Sequence, residues 1–192
     1  MTIFKNPHKH TAPRILVVSY AHDEDGHTLA RQLARACGAD LDVIQGLGTQ
    51  DSLTHRLIAG WRAALHLGAP IRPMRHDPRV YDMVVIGTTI SLWNVPAPVR
   101  AYLETHRSDL RRISLFCTHD GIGHDRVLRD LTNLCGRPAA ATMVVHHETI
   151  ARKKHSLEMG RFARTIKTSC RILSKPKPSD ASGPERTSHS SC

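Results

Sequence analysis

Tyr81-Asp82-Met83-Val84-Val85-Ile86-Gly87-Thr88 is the stretch that decides the fold. Four apolar residues, Met83 to Ile86, follow one another with no polar residue between them. A strand with one wet face alternates apolar and polar side chains. An unbroken short run, stopped here by Gly87-Thr88-Thr89, predicts a strand covered on both faces. Working outward, similar short runs stand at Ile15-Leu16-Val17-Val18, Leu41-Asp42-Val43-Ile44, Ile113-Ser114-Leu115-Phe116-Cys117 and Ala141-Thr142-Met143-Val144-Val145.

Helical spacing separates these runs. Leu29, Ala30, Leu33, Ala34 and Cys37 form one stripe, and Gly38 suits a helix stop. Leu53, Leu57, Ile58, Trp61, Ala64 and Leu65 form another, closed by Gly68. A third helix is expected to start near Pro96 to Pro98, because proline is tolerated in a first turn. Val127, Leu128, Leu131, Leu134 and Cys135 make the next stripe, and Met159, Phe162, Ala163, Ile166, Cys170 and Leu173 the last. Five strands alternating with helices predict right-handed crossovers and an α/β fold, a parallel sheet with helices on both faces. The polar, His-rich residues 1–13 are expected to be a flexible tail and residues 174–192 a disordered one, which leaves 14–173 as a single domain.

The bulk composition narrows the class. A chain of 192 residues is long enough for one domain with a real core, and 40% apolar with 23% charged residues is the balance of a globular protein. No apolar run approaches the roughly 18 to 20 residues that span a bilayer, and the N-terminus has no apolar signal core. The expectation is a soluble cytoplasmic protein with no membrane partner. Five cysteines without a CxxC pair read as reduced thiols. Residues 152–177 hold nine Lys or Arg against one Glu, and so carry most of the chain's net charge of +10. This reads as a solvated helix face with a basic tail. Aromatic residues are 4% of the chain and none is interleaved there as a stacking platform, which disfavours nucleic acid as a partner.

Ligands of open parallel sheets bind outside the carboxyl ends of the strands, so the loops after strands one, three and four are the places to search. The loop after strand three runs Gly87-Thr88-Thr89-Ile90-Ser91-Leu92-Trp93-Asn94-Val95-Pro96. Trp93 offers a platform for a flat aromatic ligand, and equally a cover for the end of the sheet. The loop after strand four, Thr118-His119-Asp120-Gly121-Ile122-Gly123, has two glycines that let backbone approach a ligand and a His119 able to bond a ring edge. A plain strand-to-helix turn also favours glycine. Gly121-x-Gly123 is no dinucleotide fingerprint, since Arg126 stands where the third glycine belongs.

Taken together, Ile15 to Val18, Tyr81 to Thr88, the Trp93 loop with Pro96-Ala97-Pro98-Val99-Arg100, and Phe116-Cys117-Thr118 with Gly121 and Gly123 resemble the flavodoxin family, nearest to short bacterial flavodoxin-domain proteins. The resemblance covers roughly residues 14 to 172 in order and spacing. It implies a flavodoxin-like three-layer sandwich with strand order 2-1-3-4-5. It also implies FMN, with phosphate in the first loop and the isoalloxazine between the other two. The implied contacts are His22, Gly26, His27 and Thr28 toward the phosphate, and Thr88, Thr89, Ile90, Trp93, Asn94, Thr118, His119, Gly121 and Gly123 toward the ring. The activity implied is FMN-dependent redox chemistry, electron transfer or NAD(P)H/quinone-type reduction, with an unidentified redox partner or small-molecule acceptor. A homodimer is compatible with it. A flavin-free binding or assembly module on the same fold is the alternative.

The first loop departs from the family. Where a Ser/Thr-x-Thr-Gly-x-Thr pattern would ring the phosphate, the ungapped register offers Ala21-His22-Asp23-Glu24-Asp25-Gly26. Three acids face the place of a dianion, and each like-charge contact costs on the order of a kcal/mol or more. FMN binding is therefore expected to be weakened or lost. A second register, with Gly26-His27-Thr28 as the Gly-x-Thr end, would lengthen the loop by two residues and shorten the helix. The ungapped register keeps Leu29, Ala30, Leu33 and Ala34 in phase. In it the acids cap free amides and complement the helix dipole, filling the anion site from within the chain.

Other chemistries find no support. The histidines at His8-x-His10, His119 with His124, and His146-His147 lack the spacing and cysteine partners of a zinc site. No Gly-x-Ser-x-Gly elbow occurs. Six residues beyond Cys37, Cys117 and Cys135 stand Val43, Gly123 and Ala141, where a cysteine phosphatase loop needs arginine.

Overall fold

The computed structural model describes residues 12–21, 23–46, 71–90, 94–121 and 123–172. Of the expected tails over 1–13 and 174–192, residues 1–11 and 174–192 lie outside the described residues, as do Leu173 and the stripe from Leu53 to Leu65. Five strands, β1 (Ile15–Tyr20), β2 (Asp40–Val43), β3 (Met83–Thr89), β4 (Ile113–His119) and β5 (Ala139–His146), form one sheet in the order β2-β1-β3-β4-β5. Every neighbouring pair is parallel. The helices are α1 (Glu24–Cys37), α2 (Ala97–His106), α3 (His124–Cys135), the five-residue α4 (His147–Ala151) and α5 (Ser156–Ile172).

The unbroken apolar runs are explained by two cores, one on each face of the sheet. Ile15, Val17, Met83, Val85 and Phe116 point to one face, where Leu29, Ala30 and Leu33 of α1 and Phe162, Ala163 and Ile166 of α5 cover them. Leu16, Val18, Val84, Ile86, Ile113 and Leu115 point to the other, against Val99, Tyr102 and Leu103 of α2 and Val127 and Leu131 of α3. Side chains alternate across a strand, so a strand between two helical layers must be apolar at every position. Truncating one of these fully buried leucines, such as Leu33, is expected to cost about 2–5 kcal/mol.

The ends of β3 and β4 run further than the apolar runs do, while β2 stops at Val43, one residue short of the expected Ile44. Thr88-Thr89 and Thr118-His119 lie within β3 and β4, because the ladder continues: Thr89 pairs with Thr118, and His119 with His146. α1 stops at Gly38 (φ 65°), with Ala39 N–H bonded to Ala34 O at 2.9 Å. Pro96 caps α2, in line with the proline signal there. The chain passes from β1 to β2 on one side and from β3 to β4 on the other, so the sheet's topological switch lies between β1 and β3. That junction is where ligands of open α/β sheets bind, and the flavodoxin order is itself a standard illustration of the rule.

Candidate functional site

Three segments meet at the carboxyl edge beside the switch: the corner from β1 into α1, the end of β3, and the corner from β4 into α3. The first corner is built on Asp23. Its backbone is extended (φ −126°, ψ 160°), and its carboxylate accepts the Gly26 N–H at 2.6 Å, the geometry of a helix N-cap. The helix begins at Glu24, so the ungapped register holds and the helix is not shortened. Gly26, His27 and Thr28 stand in the first turns of α1. His27 N–H bonds back to Asp23 O at 3.4 Å, and the Thr28 hydroxyl faces Glu24 and Arg31.

The other Asp23 oxygen collects a relay of hydroxyls from the neighbouring strands. Thr118 Oγ1 donates to Thr89 Oγ1 at 3.1 Å, and Thr89 Oγ1 donates to Asp23 Oδ2 at 3.2 Å. Both threonines are buried. A buried hydroxyl without a partner costs about 1–3 kcal/mol, so Asp23 is the acceptor that satisfies this part of the edge. Thr88, also buried, donates to the Thr89 carbonyl at 3.2 Å. His147, at the start of α4, brings Nε2 to 3.9 Å from Asp23 and Nδ1 to 3.8 Å from Asp25. Glu24 turns outward to Arg31, whose guanidinium holds its carboxyl below the usual range.

The corner is also full. A Cβ added at Gly26 would lie 2.6 Å from Ala21 Cβ, 3.0 Å from Thr89 Oγ1 and 3.3 Å from Asp23 Oδ1. Glycine is required there by close approach.

The third corner has a different character. His119 ends β4, and its Nδ1 accepts the Gly121 N–H at 3.1 Å. Its ring lies 4.9 Å from that of His124 and 5.2 Å from that of His146, centroid to centroid. Burial, reinforced by the neighbouring imidazoles, pushes His119 below its usual value, which favours the neutral ring at pH 7. With Nδ1 accepting, the proton of the neutral ring is assigned to Nε2. Gly123 has φ 104° and precedes the first residue of α3, so the turn itself calls for glycine there. Among the described residues, no group of three or more His, Cys, Asp or Glu is arranged to hold a metal ion. The buried thiols do not offer a nucleophile either, since burial pushes Cys117 and Cys135 up to about 12 and Cys170 to about 11.

Of the residues singled out from the sequence, Gly26, Thr89 and Thr118 are brought together around Asp23. Ile90 N–H bonds to Thr118 O at 2.8 Å, tying the end of β3 to that of β4. His119, Gly121 and Gly123 share the third corner, and Asn94 is exposed just before α2. His27 and Thr28 lie along α1. His22 and Trp93 lie outside the described residues. His147 was noticed in the sequence only as half of a His-His pair. Its approach to Asp23 and Asp25 depends on α4, which has too few residues to show a helical stripe.

No model of a known protein family matches the sequence, and neither does any curated protein. Solved structures do match. A flavoprotein of Lactobacillus acidophilus NCFM, solved in complex with FMN, aligns over 74% of this chain and 98% of its own, with a TM-score of 0.56 and 16% identity. A flavoprotein of Bacteroides eggerthii DSM 20697 aligns over 76% and 97%, with a TM-score of 0.55 and 18% identity. Rubredoxin oxygen:oxidoreductase of Desulfovibrio gigas aligns over 84% of this chain and 37% of its own, with a TM-score of 0.52 and 13% identity. Likeness at this identity establishes the fold: the chain is a flavodoxin-like α/β protein. No helix among the described residues is long and apolar enough to cross a membrane.

The fold's customary ligand can be tested against these residues. At the ring end, the His119 corner offers backbone and a neutral imidazole, which would suit a flat heteroaromatic, whereas the Thr88, Thr89 and Thr118 hydroxyls are buried and bonded within the chain. At the phosphate end the residues do not fit. A charge held about 4 Å from a like charge meets about 1 kcal/mol of repulsion in bulk water and about 4 kcal/mol near a protein surface. Asp23 is about one-third exposed, which sets the local value between those limits. A helix N-terminus returns about 0.3–1 kcal/mol to an anion, so the dipole does not offset the carboxylate.

Proposed function

We propose that this protein is a flavodoxin-like redox protein that carries a flavin ring at the carboxyl edge of its sheet, between the segment Thr88–Asn94 and the segment Thr118–Gly123. The observation that supports the reading is that the described starts of these two segments lie side by side at the carboxyl edge of the sheet, tied by the Ile90–Thr118 bond. A flavin ring supplies the electron chemistry when bound, and the protein supplies position and electrostatics. In this reading Trp93 stacks on the ring and His119 donates from Nε2 to its edge. The electrons go to a separate redox partner or a small-molecule acceptor such as a quinone. FMN is the flavin the resemblance points to, held weakly because of Asp23.

A second reading is a flavin-free binding or assembly module. The Asp23 relay favours it, because the loop that holds FMN's phosphate elsewhere in the family is here satisfied by the chain itself. Absorbance discriminates the two. The full chain, purified and then incubated with excess flavin and desalted, is expected to keep a flavin band whose spectrum is shifted from that of the free ligand. A preparation that stays colourless after incubation with both FMN and riboflavin supports the second reading.

A further inference from the structure

Resting on the flavin reading above, we propose that the Asp23 carboxylate is a built-in substitute for a ligand phosphate, so that the site takes an unphosphorylated flavin of the riboflavin class in preference to FMN. Three observations converge on the same corner. Gly26 N–H, a donor at the helix N-terminus, is spent on Asp23 Oδ1, and Asp23 Oδ2 is held in place by the Thr118–Thr89 relay. Gly26 is also packed closely, with Ala21, Thr89 and Asp23 within 2.6–3.3 Å of where a Cβ would stand, which fixes the Asp23 carboxylate against the turn. The charge has the wrong sign for a phosphate. Glu24 and Asp25 follow Asp23 in the first turn, and the ion-pair partner of Asp23 and Asp25 among the described residues is His147, at 3.9 and 3.8 Å.

These features act on the two flavins differently. Riboflavin and FMN share the isoalloxazine and the ribityl chain and differ only in the terminal ester. Contacts to the ring from the β3 and β4 segments serve both equally, so they set the affinity without setting the preference. The terminal hydroxyl of riboflavin is neutral and is both donor and acceptor. It can donate to a carboxylate, whereas the dianion of FMN meets Asp23 as a like charge. Discrimination therefore lies at Asp23, and it is electrostatic, so it weakens as salt rises.

The experiment is a pair of equilibrium titrations of the full chain, by quenching of flavin fluorescence, with riboflavin and with FMN. They are repeated for Asp23→Asn, which keeps a capping oxygen but removes the charge, and for Asp23→Ser, which keeps an N-cap residue of another shape. Circular dichroism of each variant confirms that the fold is intact. The wild-type chain is expected to bind riboflavin at least tenfold more tightly than FMN, and 0.5 M salt is expected to narrow the gap. Both variants are expected to gain at least fivefold in FMN affinity while riboflavin affinity holds or falls, since its terminal hydroxyl loses a charged acceptor. FMN binding more tightly than riboflavin to the wild-type chain would overturn this inference while leaving the flavin reading standing. So would variants that change both affinities alike. Binding of neither flavin to any of the three proteins would overturn the flavin reading, and this inference with it.

Discussion

The corners after β1 and after β4 solve the same problem with opposite chemistry. Each must turn a strand into a helix, and each gives a glycine N–H to a side chain two or three residues earlier. After β1 the acceptor is a carboxylate, Asp23, which also takes the Thr89 hydroxyl and stands beside His147. After β4 it is an imidazole, His119, held toward its neutral form by burial. The first corner is charged, packed and internally satisfied. The second leaves Nε2–H as a donor and has open space at Gly121, where an added Cβ meets nothing within 4 Å. A corner whose polar groups are spent on the chain itself has little left for a ligand, whereas the second corner keeps an uncommitted donor.

The largest effect that could break this contrast comes from Gly26→Ala. The added methyl meets Ala21 at 2.6 Å, so something must shift, and overpacking of this kind costs about 1–3 kcal/mol. Urea unfolding of the variant should show that loss, and an unchanged midpoint would mean that the corner is not packed as described. Asp23→Ala comes next. It removes the cap of α1 and strands the Thr89 hydroxyl, for a loss of about 1 kcal/mol, read in the same experiment.

A pH effect sharpens the other side of the contrast. His119 titrates below its usual 6.5, so between that value and its lowered one the folded state binds fewer protons than the unfolded chain. Stability is therefore full above about pH 6.5 and declines as pH falls through that window. His119→Gln should flatten this part of the stability–pH curve. A curve of unchanged slope would show that His119 is not the group responsible. The smallest effect belongs to Gly121→Ala, expected to stay within about 0.5 kcal/mol of wild type because the site is open. A loss as large as that of Gly26→Ala would erase the distinction between the corners.

The sheet was legible because burial on two faces writes itself into unbroken runs such as Met83–Ile86, and the helices because their buried stripes repeat every 3.6 residues. Strand ends were less so. Thr88, Thr89, Thr118 and His119 read as loop, yet the ladder carries them, since backbone pairing does not require apolar side chains. The capping role of the acids was visible in their place before the Leu29 stripe. What the acids touch was not: Thr89 lies 66 residues away, and His147 further still. Nothing local in a sequence reports which distant hydroxyl points at a carboxylate. For the same reason the mutual packing of His119, His124 and His146 appeared only with the fold.

The central claim is that the acids of the first corner stand against a ligand phosphate. Its most direct test is the FMN affinity of the purified chain compared with that of a variant carrying Asp23→Thr, Glu24→Gly and Asp25→Asn. The account predicts weak FMN binding by the native chain and a gain of at least tenfold in the variant. Tight FMN binding by the native chain, unimproved by the three substitutions, would contradict it.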